Sequence, residues 1–384
     1  MRNAFRVCLA ACLAIGLIMG LGGRALGQVT KAGPDSGAGA GAGAAKEPFA
    51  VGKGEYGVTT TDVTLHDGAR NKDLELRVRV PSLDPAKGQK APEAGWPLLV
   101  FSHGAGGSRD AFGGLQELLA SHGYVCIAPT HSDSIALARR KGEGNASELL
   151  TPQGRTKLLG SVKLTDRVAD CVLIVDKAAD ISELVEKTDG HGFVIDKDRV
   201  AIAGHSAGAF TAQLCAGVKI RGIAVGKTGQ GFVSIGDPRF KAAVIISGQG
   251  TASRVLGEDS WSELKIPIMV FTGSLDNSPP QMGTETPETR QHPYAKSRGT
   301  AKGGPPAYLM FIEGATHSTY SGKFTSAVLG EKPATSAADI EKATNTAILT
   351  FLDAHVRGDT KALGTLDSDA LARTIPGKVR YEHK

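Results

Sequence analysis

This sequence lacks the residue patterns that mark most metal, redox and nucleic-acid proteins. Its 384 residues include five cysteines, none of them in CxxC pairs, and no HExxH or EF-hand pattern, so we expect no metal ion and no cofactor. Three arginines lie in the first 27 residues, and the formal net charge of +5 falls to about +2 without them. That charge gives no reason to expect a nucleic-acid partner. The three cysteines beyond that segment, Cys126, Cys171 and Cys215, are expected to be buried thiols.

The N-terminal segment, residues 1–27, is predicted to be a secretory signal. Arg2 and Arg6 give a positively charged start, and an apolar run follows at residues 7–21 that is too short to span a bilayer easily. The small residue Gly27 fits a cleavage site. We therefore expect an exported protein, periplasmic or extracellular, with no stable membrane insertion after cleavage. An uncleaved N-terminal anchor is the alternative.

Composition divides the rest of the chain into three parts. Residues 28–49 contain the tract GAGAGAGAA, whose side chains cannot form a core, and are predicted to be a flexible tether. Residues 50–358 are predicted to form one globular domain, because no linker separates two cores. Residues 359–384 are predicted to be a C-terminal tail whose role the sequence leaves open.

The hydrophobic pattern predicts an α/β fold. Two early segments, residues 58–65 and 74–80, alternate apolar and polar residues and are typical of antiparallel strands with one wet face. The later apolar runs are short and continuous, which favours a mostly parallel sheet covered by helices on both faces. These runs are PLLVF at 97–101, YVCIA at 124–128, VAIA at 200–203, AAVII at 242–246 and PIMVF at 267–271, with helix-like stretches at 110–121, 161–180, 207–217 and 337–356.

The segment Gly204-His-Ser206-Ala-Gly208 follows one of these strands and precedes a helix. A tight strand-to-helix turn with small neighbours lifts the serine hydroxyl above the sheet, as in a nucleophile elbow. Ser206 is therefore the candidate nucleophile. The N–H of Ala207, at the helix start, is a candidate donor to a developing oxyanion.

A second glycine-rich loop, FSHGAGG at 101–107, ends an earlier strand. This is where α/β-hydrolases place their other oxyanion donor, which we assign to the backbone N–H of Ala105. A dinucleotide site is the alternative, but Arg109 stands where GxGxxG requires glycine. His103 in this loop and His131 after the next strand are candidate pocket residues. A structural role for His131 is equally compatible with the sequence.

The acid and the base follow later strands. Asp276 lies in the turn after residues 267–271, and His317 follows a strand-like segment, residues 307–312, and a glycine turn. The order Ser206, Asp276, His317 is that of the α/β-hydrolases and differs from both common serine-protease orders. We therefore expect a Ser-His-Asp triad at these positions.

Six motifs resemble a known family, and together they cover roughly residues 70–325. They are PLLVFSHGAGGSRDAF, SHGYVCIAPTHSDS, DRVADCVLIVD, DRVAIAGHSAGAFTA, DPRFKAAVIISG and AYLMFIEGATHSTYSG. They are similar to the bacterial predicted dienelactone hydrolases, which are related to platelet-activating-factor acetylhydrolases. The resemblance implies the α/β-hydrolase fold for residues 50–358, the triad above, and Ala105 and Ala207 as oxyanion donors.

The resemblance also implies a reaction. Dienelactone hydrolases of this fold use a cysteine nucleophile, whereas this sequence has a serine at the elbow, which points to hydrolysis of a small-molecule ester. The acetylhydrolase relatives suggest short acyl groups, and the long excursion at residues 278–305 is expected to overhang the site and limit acyl length. A peptidase or amidase with the same triad, and a catalytically silent binding module, are the alternatives. The oligomeric state is left open.

Overall fold

The computed structural model describes residues 47–143, 151–221, 231–321 and 330–384. The predicted signal, residues 1–27, and nearly all of the predicted tether, residues 28–49, lie outside these ranges. Among the residues that are described, no helix is both long and apolar enough to cross a bilayer.

One large sheet of nine strands organises the described residues. Its strands are β1 (Gly57–Asp67), β2 (Lys72–Ser82), β3 (Trp96–Ser102), β4 (Val125–Thr130), β5 (Ile195–His205), β8 (Phe240–Ile246), β9 (Ile268–Leu275), β10 (Ala307–Thr316) and β11 (Val379–His383), and the short strands β6 (Ile220–Arg221) and β7 (Phe232–Val233) pair with each other. The spatial order is β1-β2-β4-β3-β5-β8-β9-β10-β11. Neighbouring strands from β4 to β10 run parallel, and β1, β2 and β11 pair antiparallel at the two edges.

Helices cover both faces of this sheet because both faces of its central strands are apolar. In β3, Leu98 and Val100 belong to one buried cluster with residues of the helices Leu164–Asp176, Ala178–Asp189 and Ala207–Cys215. Leu99 and Phe101 belong to another, with residues of the helices Gly113–Ser121 and Ala337–Leu352. The helices are α1 (Gly113–Ser121), α2 (Ile135–Arg140), α3 (Pro152–Ser161), α4 (Leu164–Asp176), α5 (Ala178–Asp189), α6 (Ala207–Cys215), α7 (His292–Ala295), α8 (Ala337–Leu352), followed by a π-helical turn (Asp353–Arg357), and α9 (Thr360–Leu366).

The α/β-hydrolase fold predicted from the sequence is confirmed. The two alternating segments form the antiparallel pair β1 and β2, and the continuous apolar runs form the parallel strands. Because parallel strands share one carboxyl edge, the loops after β3, β5, β9 and β10 meet at the same end of the sheet.

The three cysteines expected to be buried thiols are buried and free. Cys126 lies in β4, and burial raises the pKa of its thiol to about 12. It is therefore a packing residue rather than a reactive group.

The C-terminal boundary drawn from the sequence needs correction. Residues 359–384 are not a tail, because β11 pairs antiparallel with β10 and closes one edge of the sheet. Arg380 lies over the ring of Phe311 at 4.7 Å, and the hydroxyl of Tyr381 donates to the carbonyl of Leu366 at 2.7 Å. The domain therefore continues to the end of the described chain.

Deletion of residues 379–384 should destabilise the protein, since it exposes the edge of β10 and removes its ladder of hydrogen bonds. We expect the free energy of unfolding to fall by roughly 2–5 kcal/mol, measured by urea denaturation. Lys378→Gln, which changes an exposed side chain just before the deleted segment, is the control. An unchanged denaturation midpoint in the deletion variant would show that this segment is a tail after all.

Candidate active site

Ser206 occupies a strained turn between β5 and α6. Its backbone has φ 56° and ψ −119°, a conformation that costs a non-glycine residue on the order of 1–3 kcal/mol. A Cβ atom at Gly204 would lie 2.2 Å from the carbonyl oxygen of Gly208, and one at Gly208 would lie 1.9 Å from that of Ser102. Both glycines of the predicted elbow are therefore required by close backbone approach.

The structure brings the three predicted triad residues together. His317, which follows β10, places Nε2 2.9 Å from Oγ of Ser206 and Nδ1 3.0 Å from Oδ1 of Asp276. Asp276 follows β9 and is fully buried. This chain of contacts lets His317 accept the Ser206 proton while Asp276 holds the imidazole tautomer.

Asp276 is held ionised by its surroundings. Burial alone would raise its pKa, but the charge of Arg290 and hydrogen bonds from His317 and Ser247 outweigh burial and lower the pKa to about 2. The hydroxyls of Ser247 and Thr272 donate to Oδ2 at 2.7 and 2.9 Å. A carboxylate with both oxygens engaged can stabilise a neighbouring imidazolium without itself taking the proton.

Arg290 is a site residue that the sequence analysis missed. It is buried, and its Nε lies 2.9 Å from Oδ1 of Asp276 and donates to the Asp276 carbonyl, also at 2.9 Å. Its Nη1 donates to the carbonyls of Ser247 and Gly248. Arg290 therefore ties the turn after β8 to the turn after β9. An arginine in a loop rich in charged residues gave no signal that it would be buried.

His205, inside the elbow, was also missed. Its Nε2 lies 2.7 Å from the carbonyl of His317, and the two rings lie 5.0 Å apart. Burial, and then the neighbouring His317, lower the pKa of His205 to about 3, so its neutral ring donates to that carbonyl and steadies the backbone that carries the base. The only sequence feature that could have pointed to His205 was its position between Gly204 and Ser206 in the GxSxG motif.

A cavity of about 1010 Å³ opens over Ser206. Ala105 and Ala207 line it together with Ser206, so the loops expected to carry the oxyanion donors lie beside the candidate nucleophile. Much of its wall is apolar and includes Phe112, Leu159, Val162, Leu164, Phe210 and Met282.

The excursion at residues 278–305 contributes to this cavity only through its first part. Ser278, Pro279 and Met282 line it, and Arg290 anchors the segment beneath. Tyr294, farther along, packs into the hydrophobic core instead. The overhang expected from the sequence is therefore formed by residues 278–290.

The structure does not place His103 and His131 in the substrate pocket, and for His131 it supports the structural alternative. Both side chains are buried, and neither residue lines the cavity. The ring of His131 contacts Oγ of Ser102 through Nε2 at 2.9 Å and Oδ2 of Asp170 through Nδ1 at 2.8 Å. The backbone N–H of His131 donates to Nε2 of His103 at 3.0 Å. Their positions after β3 and β4 placed them at the correct edge of the sheet, but partners on α4 turn their side chains inward.

Comparison with known proteins gives a family match over the first part of the site. Residues 76–247, which include Ala105 and Ser206, match the family model of platelet-activating factor acetylhydrolase, isoform II. Asp276 and His317 lie beyond the matched region.

Individual relatives are more distant. The platelet-activating factor acetylhydrolase of Cavia porcellus is 27% identical over 149 residues, 33% of this chain and 34% of the relative, and that of Bos taurus is 28% identical over 136 residues, 30% and 31% of the two chains. The matches thus span about a third of the length of these relatives. A solved structure of a Klebsiella pneumoniae protein assigned to the dienelactone hydrolases has 17% identity and a TM-score of 0.47, covering 70% of this chain and 91% of that one.

The family match agrees with the sheet order and the strained elbow found in the structure. The resemblance predicted from the six motifs is confirmed: residues 76–247 are similar to the platelet-activating factor acetylhydrolase family, and the described residues have the α/β-hydrolase fold.

Proposed function

We propose that this protein is an exported serine hydrolase that cleaves small-molecule carboxylic esters through an acyl-enzyme. The observation that carries the proposal is the continuous contact from Ser206 through His317 to Asp276, on the wall of a cavity large enough for a substrate. A silent binding module would have no need for the strain stored at Ser206.

The proposed reaction has two halves. Oγ of Ser206 attacks the ester carbonyl carbon while its proton passes to Nε2 of His317, and the N–H groups of Ala105 and Ala207 stabilise the oxyanion. The tetrahedral intermediate collapses, the C–O bond to the alcohol breaks, and His317 returns the proton to the leaving alkoxide. Water then attacks the acyl-enzyme with His317 as base, releasing the carboxylic acid and regenerating Ser206.

Export and short acyl chains are the finer parts of the proposal. Export rests on the apolar run and cleavage site of residues 1–27; protein recovered outside the cytoplasm should begin near Gln28, and recovery of intact Met1 there would contradict this. The short-acyl preference rests on the wall formed by the first part of the excursion, where Met282 lines the cavity.

Ser206→Ala should abolish ester hydrolysis, because no other group replaces the nucleophile. We expect kcat for p-nitrophenyl acetate to fall by roughly 10⁶-fold, with an unchanged circular dichroism spectrum. Ser368→Ala, at an exposed serine, is the control. Peptide p-nitroanilides should be cleaved far more slowly than esters by the unaltered enzyme. More than a tenth of the activity remaining in Ser206→Ala would refute the assignment, and faster anilide cleavage would favour an amidase.

Met282→Ala should extend the range of acyl chains accepted, because it removes part of the cavity wall. Each methylene that gains room should improve kcat/KM by roughly fourfold relative to acetate, the equivalent of about 0.8 kcal/mol. A series of p-nitrophenyl esters from acetate to octanoate measures this. Glu288→Ala, exposed on the same excursion and outside the cavity lining, is the matched control. An identical chain-length profile for Met282→Ala and the control would rule out this wall.

A further inference from the structure

The carbonyl of Gly104 receives three hydrogen bonds. Nη2 of Arg167 donates at 3.2 Å, the backbone N–H of Gly107 at 3.1 Å, and Nδ1 of His103 lies at 2.6 Å. A carbonyl oxygen only accepts, so Nδ1 of His103 carries its proton. This agrees with Nε2 of His103 accepting the N–H of His131.

Fixing this carbonyl also fixes the next N–H group. The C=O of Gly104 and the N–H of Ala105 belong to one peptide unit, and in a planar trans peptide they point in opposite directions. No cis peptide occurs among the described residues. Three donors drawing the Gly104 carbonyl toward the buried side therefore turn the Ala105 N–H away from it, and Ala105 lines the cavity together with Ser206.

Arg167 on α4 is the centre of this arrangement. Its guanidinium is fully buried, and Nη1 donates to the carbonyl of His103 at 2.6 Å. Its Nε and Nη2 donate to the two carboxylate oxygens of Asp133 at 2.9 and 2.7 Å, and Asp133 accepts the N–H of Gly106 at 3.1 Å. The ion pair of Arg167 and Asp133 thus holds the loop after β3 through the carbonyls of His103 and Gly104 and the N–H of Gly106.

The nearby Arg167 keeps the carboxylate of Asp133 ionised. Burial would raise the pKa of Asp133, but the charge and hydrogen bonds of Arg167 outweigh burial and lower it to about 2. Burial, and then the charge of Arg167, lower the pKa of both His103 and His131 well below the usual value. Both imidazoles are therefore neutral, as their hydrogen bonds require.

A second Ser-His-Asp constellation supports the loop from below. Ser102, His131 and Asp170 repeat the contacts of the triad at 2.9 and 2.8 Å, but all three are fully buried and none lines the cavity. Ser102 therefore has no route to a substrate. Ser102 and Asp170 fix the ring of His131. The backbone N–H of His131 in turn fixes the ring of His103 by donating to its Nε2.

We propose that Arg167, Asp133 and His103 are positioning residues that aim the Ala105 N–H at the oxyanion, and that Ser102, His131 and Asp170 brace them rather than form a second catalytic centre. This rests on the proposed ester hydrolysis at Ser206. A buried ion pair contributes little to stability compared with apolar residues of similar volume, so its value here lies in orientation.

The test replaces the pair without leaving a buried charge, in the double variant Arg167→Met with Asp133→Leu. We expect kcat for p-nitrophenyl acetate to fall about 10²–10³-fold, the usual effect of losing one oxyanion donor, with KM changed less than about threefold. The affinity for a trifluoromethyl ketone, whose adduct with Ser206 carries the oxyanion, should weaken by a similar factor. The control makes the same double replacement at Arg239 and Asp237, a more exposed ion pair outside the cavity lining. It should change neither kcat nor the affinity for the ketone.

A second variant guards against misfolding. Arg167→Lys keeps the charge opposite Asp133 but cannot contact both carbonyls and the carboxylate at once, so it should show the same selective loss of kcat and of ketone affinity. If Ser102, His131 and Asp170 only support the loop after β3, Ser102→Ala should lower kcat by less than about tenfold.

The outcomes separate the two proposals. An unaltered enzyme that does not hydrolyse the ester would refute the proposed function. An active unaltered enzyme whose double and Arg167→Lys variants keep kcat and ketone affinity within threefold would refute the positioning role. A proportional loss of folded protein, with kcat per folded molecule unchanged, would also refute it. Loss of activity in Ser102→Ala comparable to that in Ser206→Ala would show that the second constellation is catalytic.

Discussion

Backbone contact between the start of α6 and the end of β3 sets the positions of the remaining parts of the site. A Cβ atom at Gly208 would lie 1.9 Å from the Ser102 carbonyl, so only glycine lets helix and strand approach this closely. The contact holds the first turn of α6 beside the loop that follows β3. As a result, Ser206 and Ala105 share one cavity wall, which is the geometric condition for a nucleophile and an oxyanion donor to act on one carbonyl group.

Two buried arginines then hold the loops that the sheet alone leaves free. Arg167, from α4, draws the loop after β3 toward the turn that contains Asp133. Arg290, from the excursion after β9, draws the turns after β8 and β9 together around Asp276. Each guanidinium neutralises one buried carboxylate and donates to backbone carbonyls. A planar group with five donors is suited to this task in a way that lysine is not.

The sequence predicted the parts of the site that depend on strand order. Ser206, Asp276 and His317 each come a few residues after an apolar run, and parallel strands bring such positions to one edge of the sheet. The roles of His103 and His131 could not be predicted in this way, because the side chains that turn them inward come from α4. Arg290 was hidden for the same reason, since its burial depends on carbonyl groups distant in sequence. The strand β11 was missed because it is short, half polar and defined by its pairing with β10.

Covalent labelling tests the central claim, that Ser206 is the nucleophile, most directly. A p-nitrophenyl phosphonate ester should be attacked at phosphorus by Oγ of Ser206, releasing one p-nitrophenol per enzyme molecule and leaving one phosphonyl group. Mass spectrometry of the digested protein should locate that group on the peptide that contains Ser206, with Ser102 unmodified. Labelling should be slowed strongly in His317→Ala. An adduct on Ser102 or another residue, or no adduct on folded protein, would contradict the account.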